Sequence, residues 1–227
     1  MNPNGTKRSA GRPREAVLTR QKITDAAIKL LRTGSLKALT VSALAERLGV
    51  APSAIYNHAD SRATILSWVQ ESIAQQLDAS GFGTEPWRAA TERWAWSYYR
   101  LLREHPWFVE ITATVPLRDA EVSARMYERV AYGLRAEGWR VRDVLHTISA
   151  LESFIFGAAF DAAAPSDIYA TGVHAQAAPI LTAIVRAHDE VVANSELNTG
   201  EITFDLGLQA MLDGLHARHS HPKIANE

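Results

Sequence analysis

Residues 19–66, TRQKITDAAIKLLRTGSLKALTVSALAERLGVAPSAIYNHADSRATIL, constrain the chain more than any other stretch. Ile23, Ala27, Leu30 and Leu31 recur at i, i+4, i+7 and i+8, one apolar stripe along a first helix. Thr40 offers a hydroxyl to cap a second helix, whose buried face is Val41, Leu44, Ala45 and Leu48. Gly49 can take the left-handed conformation that ends it, and Val50 plugs the corner. Pro52, lacking an amide hydrogen, suits the first turn of a third helix, expected over 52–58. This order spells helix-turn-helix. Ile55 is the one strongly apolar member of the third helix and is set inward. Steps of about 100° per residue then turn Ser53 and Asn57 outward together, put Ala54 and Tyr56 on the flanks, and leave His58 nearer the protein. Small and amide side chains facing outward fit a major groove, where Asn bonds adenine in bidentate fashion. An ordinary helical hairpin is the alternative that the pattern alone leaves open.

Charge separates the chain into two parts. Residues 1–62 hold 11 Lys or Arg against 4 Asp or Glu, net +7; the chain totals of 24 and 25 leave 13 against 21, net −8, for the rest. The basic part can neutralise phosphates and release counterions, while the acidic part should face away from DNA. Gly11-Arg12-Pro13-Arg14 reads either as an arm for the minor groove or as a solvated tail. The leader is basic but lacks the apolar core of a signal peptide, and no apolar run approaches membrane-spanning length, so a cytosolic protein with no membrane partner is expected. Zero cysteines exclude a disulfide framework and thiolate chemistry. A chain of 227 residues that is 47% hydrophobic suits one large or two small domains.

The segment LTVSALAERLGVAPSAIYNHADSRATIL, residues 39–66, resembles the DNA-binding domain of TetR-family transcriptional repressors. Tyr56-x-His58 ends the third helix in the family's manner, and Arg62 supplies the cationic side chain that opens the fourth. Ala51 and Ala59 depart from the family pattern, standing where a capping hydroxyl and an aromatic are common. The candidate DNA contacts are Arg12 and Arg14 in the arm, Thr40 and Ser42 on the second helix, Ser53, Ala54, Tyr56, Asn57 and His58 on the third, and Arg62.

The remaining pattern is helical throughout. Ser61 can cap a helix over 61–79, and 80–86 breaks it. An aromatic helix follows over 87–104, then a short piece over 107–114 and a helix over 117–137. Residues 140–163 are apolar over so wide an arc that this helix needs neighbours on two sides. Pro179 should kink a helix over 174–192 or delay its start, and a last helix covers 201–218. With no strand alternation, the expectation is an all-α protein of about nine to ten helices. It comprises a helix-turn-helix domain at 1–62 and a helical effector-binding and dimerisation bundle at 63–227.

HTISALESFIFGAAFDA (146–162) and ITFDLGLQAMLDGL (202–215) resemble the penultimate and last bundle helices of the tetracycline-repressor subgroup. The resemblance implies a four-helix dimer interface built from 140–163 and 201–218, with Leu208 and Leu212 as its probes. It also implies a ligand pocket with Trp94, Tyr98, Val130 and Ser153 on the wall; Thr112 and Ser149 join as polar candidates. Aromatics at helical spacing equally serve as plain core, although pockets between bundle helices use aromatic walls with a few polar groups. The subgroup's metal-holding histidine falls near Ile111 or Thr112 and a second pocket histidine at Ser153; only Asp161 could supply the carboxylate. The expectation is therefore an aromatic or apolar effector, with no magnesium chelate and no cofactor. Asp213, His216, His219 and His221 read as a metal cluster or, preferably, a solvated helix end. His146 and Ser149 share a face but lack an orienting acid and oxyanion donors, and His146 reads as a satisfied core histidine. The functional expectation is a homodimeric repressor released from a palindromic operator by a small molecule. Its rivals are a regulator controlled by a protein partner and a helical enzyme fused to a DNA-targeting module.

Overall fold

The computed structural model describes residues 18–220; Arg12, Arg14 and His221 lie outside the described residues. Among these the architecture is all-α. The ten helices are α1 (Arg20–Thr33), α2 (Val41–Leu48), α3 (Pro52–Tyr56), α4 (Arg62–Ala74), α5 (Trp87–Glu104), α6 (Phe108–Thr114), α7 (Glu121–Ala136), α8 (Val141–Asp161), α9 (Pro179–Ala193) and α10 (Thr199–Ser220). Two compact units divide between Ile65 and Leu66, inside α4.

In the first unit, Ile23, Ala27 and Leu31 of α1 and Leu44 and Ala45 of α2 close over Ile55, all buried. Thr19 and Thr40 cap α1 and α2, their hydroxyls accepting from the amides of Lys22 at 3.2 Å and Ala43 at 3.1 Å. Each cap satisfies an amide that has no partner within its own helix. Gly49 adopts φ 67°, ψ 33°, and the Val50 amide reaches back to the Ala45 carbonyl at 3.0 Å. A side chain at Gly49 would be strained in this left-handed corner. Pro52 opens α3, and Ala51 before it supplies no side-chain cap. The third helix stops at Tyr56, two residues before the sequence-based bound. The Asn57 amide still bonds Ser53 O at 3.2 Å, but the His58 amide bonds Ile55 O at 2.9 Å, tightening the chain out of the α-helix.

The second unit is built on α5, α7, α8 and α10. Phe204 of α10 stacks on Tyr99 of α5 at 4.1 Å and on Phe154 of α8 at 5.5 Å. Gly207 lets α10 approach α8, since a Cβ there would fall 2.6 Å from the Phe154 ring. α4 ends at Ala74 rather than near 79. The amides of Gln76 and Leu77 bond three residues back, to Ile73 and Ala74, and the Asp78 amide turns away to Ser97 Oγ at 3.0 Å. α9 starts at Pro179, the first-turn position, so the proline delays the helix instead of kinking it.

Several expectations need correction. α8 is, by length and composition alone, long and apolar enough to cross a membrane, with a 21-residue span and hydropathy 1.2. Here Val144, Ile148, Leu151 and Ile155 are buried as core. Within one protomer α8 packs against α5, α7 and α10, and Val141, Leu145 and Phe160 of its apolar arc stay exposed. Leu208 and Leu212 are both 0% exposed in a single protomer, so they belong to its core and cannot probe an interface. His146 is exposed, not a core histidine.

Candidate nucleic-acid interface and effector site

Ser53, Tyr56, Asn57 and His58 are all exposed, and Ala54 is half-buried. His58 therefore stands outward with the others, because the chain leaves the helical path before reaching it. Thr40 and Ser42 are exposed at the start of α2. Thr40 Oγ1 is committed as an acceptor to its cap, which leaves its hydroxyl hydrogen to donate. Ala59 is buried behind α3.

Arg62 does something that its charge did not announce. Its Nε donates to Leu39 O at 2.6 Å and its Nη2 to Leu36 O at 2.5 Å, across the short 3-10 turn Leu36–Ala38 that joins α1 to α2. The fork gives the Leu39 carbonyl a partner and adds a second bond to the Leu36 carbonyl, which already accepts from the Leu39 amide at 3.3 Å. The structure thus uses Arg62 as a brace inside the first unit while the residue stays exposed at the start of α4.

In the second unit the sequence-derived wall is partly assembled. Trp94 and Tyr98 lie edge to face at 5.6 Å, and Tyr98 meets Phe156 of α8 at 5.5 Å. Val130 is buried with them in the core. Tyr127 Oη donates to Glu152 Oε1, and Tyr127, Glu152 and Thr112 are the polar groups that influence the Tyr98 phenol. Ser149 and Ser153 do not join. Both are exposed on the outer face of α8, with Ser153 Oγ bonded back to Ser149 O at 2.8 Å. The residues of α8 turned toward the tyrosines are Glu152 and Phe156, and Ser153 is rotated a further 100° or so by the helix itself.

Tyr127 and Glu152 are the functional candidates that sequence reasoning missed. Burial pushes the Tyr98 phenol well above its ordinary range, and the neighbouring Tyr127 and Glu152 add to this. Burial likewise raises Tyr127, with the Glu152 charge second. Glu152 is raised by burial although both tyrosines bond it and pull the other way. A carboxyl shifted upward by desolvation inside an aromatic cluster marks a candidate functional site. Trp94 and Tyr98 are 0% and 1% exposed, so a ligand reaching them must part the helices.

The supposed metal ligands are otherwise engaged. Asp213 pairs with Arg88 at 2.7 Å, His216 stacks on Trp87 at 6.4 Å, and His219 stacks on Trp139 at 4.7 Å with Nε2 3.1 Å from Glu137 O. Asp161 is exposed at the end of α8.

A helix-turn-helix unit followed by a helical unit with a buried aromatic cluster is the architecture of a DNA-binding regulator. The chain belongs to the TetR family. Residues 23–67 match the model described as bacterial regulatory proteins of the tetR family, and residues 81–219 match the tetracyclin repressor-like C-terminal domain. An HTH-type transcriptional regulator of Saccharopolyspora erythraea is 25% identical over 203 residues, covering 88% of this chain and 86% of that protein. A solved TetR-type transcriptional regulator of Streptomyces coelicolor is 27% identical with a TM-score of 0.66, covering 89% of this chain and 99% of that one. The ActR protein of the same organism, solved in complex with actinorhodin, shares the fold at TM-score 0.70 and 20% identity, covering 92% and 100%. Relatives carry the names of transcriptional regulators and repressors, and this protein is a transcriptional regulator rather than an enzyme.

Proposed function

We propose that this regulator is a homodimeric, cytosolic repressor that binds a palindromic operator through α3 and is released when a small molecule enters the α5–α7–α8 core. The observation that carries the reading is α3 itself: a single turn held by the Gly49 corner with Ser53 and Asn57 both exposed. One such helix reads too few base pairs for a specific site, whereas a two-fold pair reads two half-sites about 34–36 Å apart or a multiple of that. Tyr56, His58, Ala54, Thr40 and Ser42 serve as flanking contacts, and Arg12 and Arg14 follow the phosphates or the minor groove. The exposed faces of α8 and α10, carrying Leu145, Phe160 and Leu206, are the surfaces that a second copy would cover. Support for small-molecule control comes from ActR, whose structure holds actinorhodin, and from the polar cluster inside an otherwise apolar core.

Asn57→Ala should weaken binding to the selected operator by about 1–3 kcal/mol and leave binding to random DNA nearly unchanged. Measuring both by titration checks the assignment, and equal losses on both DNAs would remove Asn57 from base readout. Release obeys linkage. An effector shifts the protein only by its difference in affinity between the bound and released conformations, so operator must weaken effector binding by the same factor that effector weakens operator binding, typically about 5- to 150-fold. Titrating the effector with and without operator measures the factor. Identical affinities in the two titrations would favour control by a protein partner instead.

A further inference from the structure

The fork of Arg62 grips one particular peptide plane. Its Nε donates to Leu39 O at 2.6 Å and its Nη2 to Leu36 O at 2.5 Å. The other edge of the Leu39–Thr40 peptide is tied as well, the Thr40 amide donating to Ala38 O at 3.0 Å. That plane is therefore held from both edges. It carries Thr40, the cap of α2, whose Oγ1 accepts from the Ala43 amide at 3.1 Å and whose carbonyl accepts from the Leu44 amide at 3.0 Å. Leu36 and Leu39 anchor the turn by burying their side chains. At its other end Arg62 is the first residue of α4, directly after the stretch that leaves α3, where Ser61 Oγ accepts from the Thr64 amide at 3.2 Å. The side chain thus ties the start of α2, with Thr40 and Ser42, to the exit of α3, with Asn57 at its end.

We propose that Arg62 is a positioning residue for operator recognition. It acts through the α2 cap, fixing the spacing between the contacts of Thr40 and Ser42 and the reading face of α3, rather than by neutralising a phosphate. This rests on the operator-binding reading above and gives Arg62 a part in it that its charge does not suggest. Specific binding needs both sets of contacts to meet one duplex at once, whereas non-specific binding is dominated by charge and tolerates a shifted fit. The Nε and Nη2 donors are committed to backbone carbonyls in the fixed geometry of a planar guanidinium. Shape then matters more than charge. A lysine ammonium is a flexible, strongly hydrated point charge that cannot hold both carbonyls in that geometry. A glutamine amide nitrogen lies as many bonds from the backbone as the arginine Nε, so it can keep the Leu39 bond with no charge at all.

Arg62→Lys and Arg62→Gln in the full chain separate shape from charge. Binding to an operator duplex selected from random sequences, and to a random duplex, is titrated across a salt series at a temperature where circular dichroism shows each variant folded. Arg62→Lys should weaken operator binding by roughly 10- to 100-fold, the scale of the charge-assisted bonds lost, and random-duplex binding by less than about twofold. Arg62→Gln should lose less on the operator than Arg62→Lys. Neither should lower the slope of log affinity against log salt by the ~0.9 that one lost phosphate contact removes. In a Thr40→Val background, where the cap hydroxyl is already gone, Arg62→Lys should cost less than about twofold, because residues that act through one another are not additive. An Arg62→Lys protein that binds operator like the wild type, with Arg62→Gln weaker on both duplexes and a lower slope, makes Arg62 a phosphate contact and overturns the proposal. Full additivity with Thr40→Val overturns it too. Variants that melt lower yet keep wild-type operator affinity once folded show a merely structural brace, which is a third refutation. A wild-type chain that prefers no selected duplex would sink the operator reading itself, and this inference with it.

Discussion

Leu206→Asp is expected to give a folded monomer that has lost specific operator binding. Leu206 is 72% exposed on α10, so a carboxylate there meets water in the isolated protomer and costs the fold little. Once a second copy covers that face, the same carboxylate is taken from water without a partner, and a buried ion left alone is strongly destabilising. Joining two reading heads raises affinity by about 10²- to 10⁴-fold over one, and most of that factor should vanish with the dimer. Leu208→Asp and Leu212→Asp act differently. Both positions are fully buried within the protomer, and a charge there should unfold it, so loss of dimer in those variants would be uninformative. Sedimentation at micromolar concentration, with circular dichroism as the control for folding, separates the cases. A Leu206→Asp protein that still sediments as a dimer would remove this face of α10 from the interface.

The difference between Leu206 and Leu208 marks how far the sequence was legible. Helical periodicity says that Leu208 and Leu212 are buried, and they are; it cannot say whether the cover comes from the same chain or another. The corner between α2 and α3 was readable because its causes are adjacent in sequence: a residue able to take positive φ, an apolar plug and a proline. Arg62 was not, because its acceptors Leu36 and Leu39 come from a turn whose carbonyls no pattern exposes. His58 was turned inward by stepping an ideal helix through residues that had already left it. On α8 the sequence-derived positions and the residues facing the tyrosines differ by a single residue of helical phase. Carrying family positions over selected Ser153, while packing against α5 and α7 selects Glu152 and Phe156. Tyr127 carried no signal of its own, since a lone tyrosine on an amphipathic helix is ordinary until a carboxyl from another helix meets it.

The carboxylate of Glu71 gives the second large expected effect. It is 7% exposed on α4, and its oxygens accept from the amides of Val122 at 2.7 Å and Ser123 at 3.2 Å in the first turn of α7. The residue preceding α7 is Ala120, which supplies no side-chain cap. Glu71 therefore caps α7 from another helix, bringing negative charge to the positive end of the helix dipole. Charge-assisted bonds of this kind contribute more than neutral ones. Glu71→Ala should lower unfolding stability by about 2–4 kcal/mol, because a part-buried amide and a buried one lose their acceptors together. Glu71→Gln, which keeps one neutral acceptor, should lose roughly half as much. Urea unfolding reads the totals, and hydrogen exchange at Val122 and Ser123 locates the loss; unchanged protection of those amides would show that the clamp does not hold α7. The same variants also test how the core reaches α4. α7 carries Tyr127 and Val130 of the candidate effector cluster, and Glu71 ties its first turn to the helix that runs on from the DNA-binding unit. A clamp that transmits the effector's push requires the reciprocal operator–effector factor to fall toward one in Glu71→Ala, measured at a temperature where the variant is fully folded. A factor equal to that of the wild type would mean that Glu71 stabilises α7 without carrying the signal.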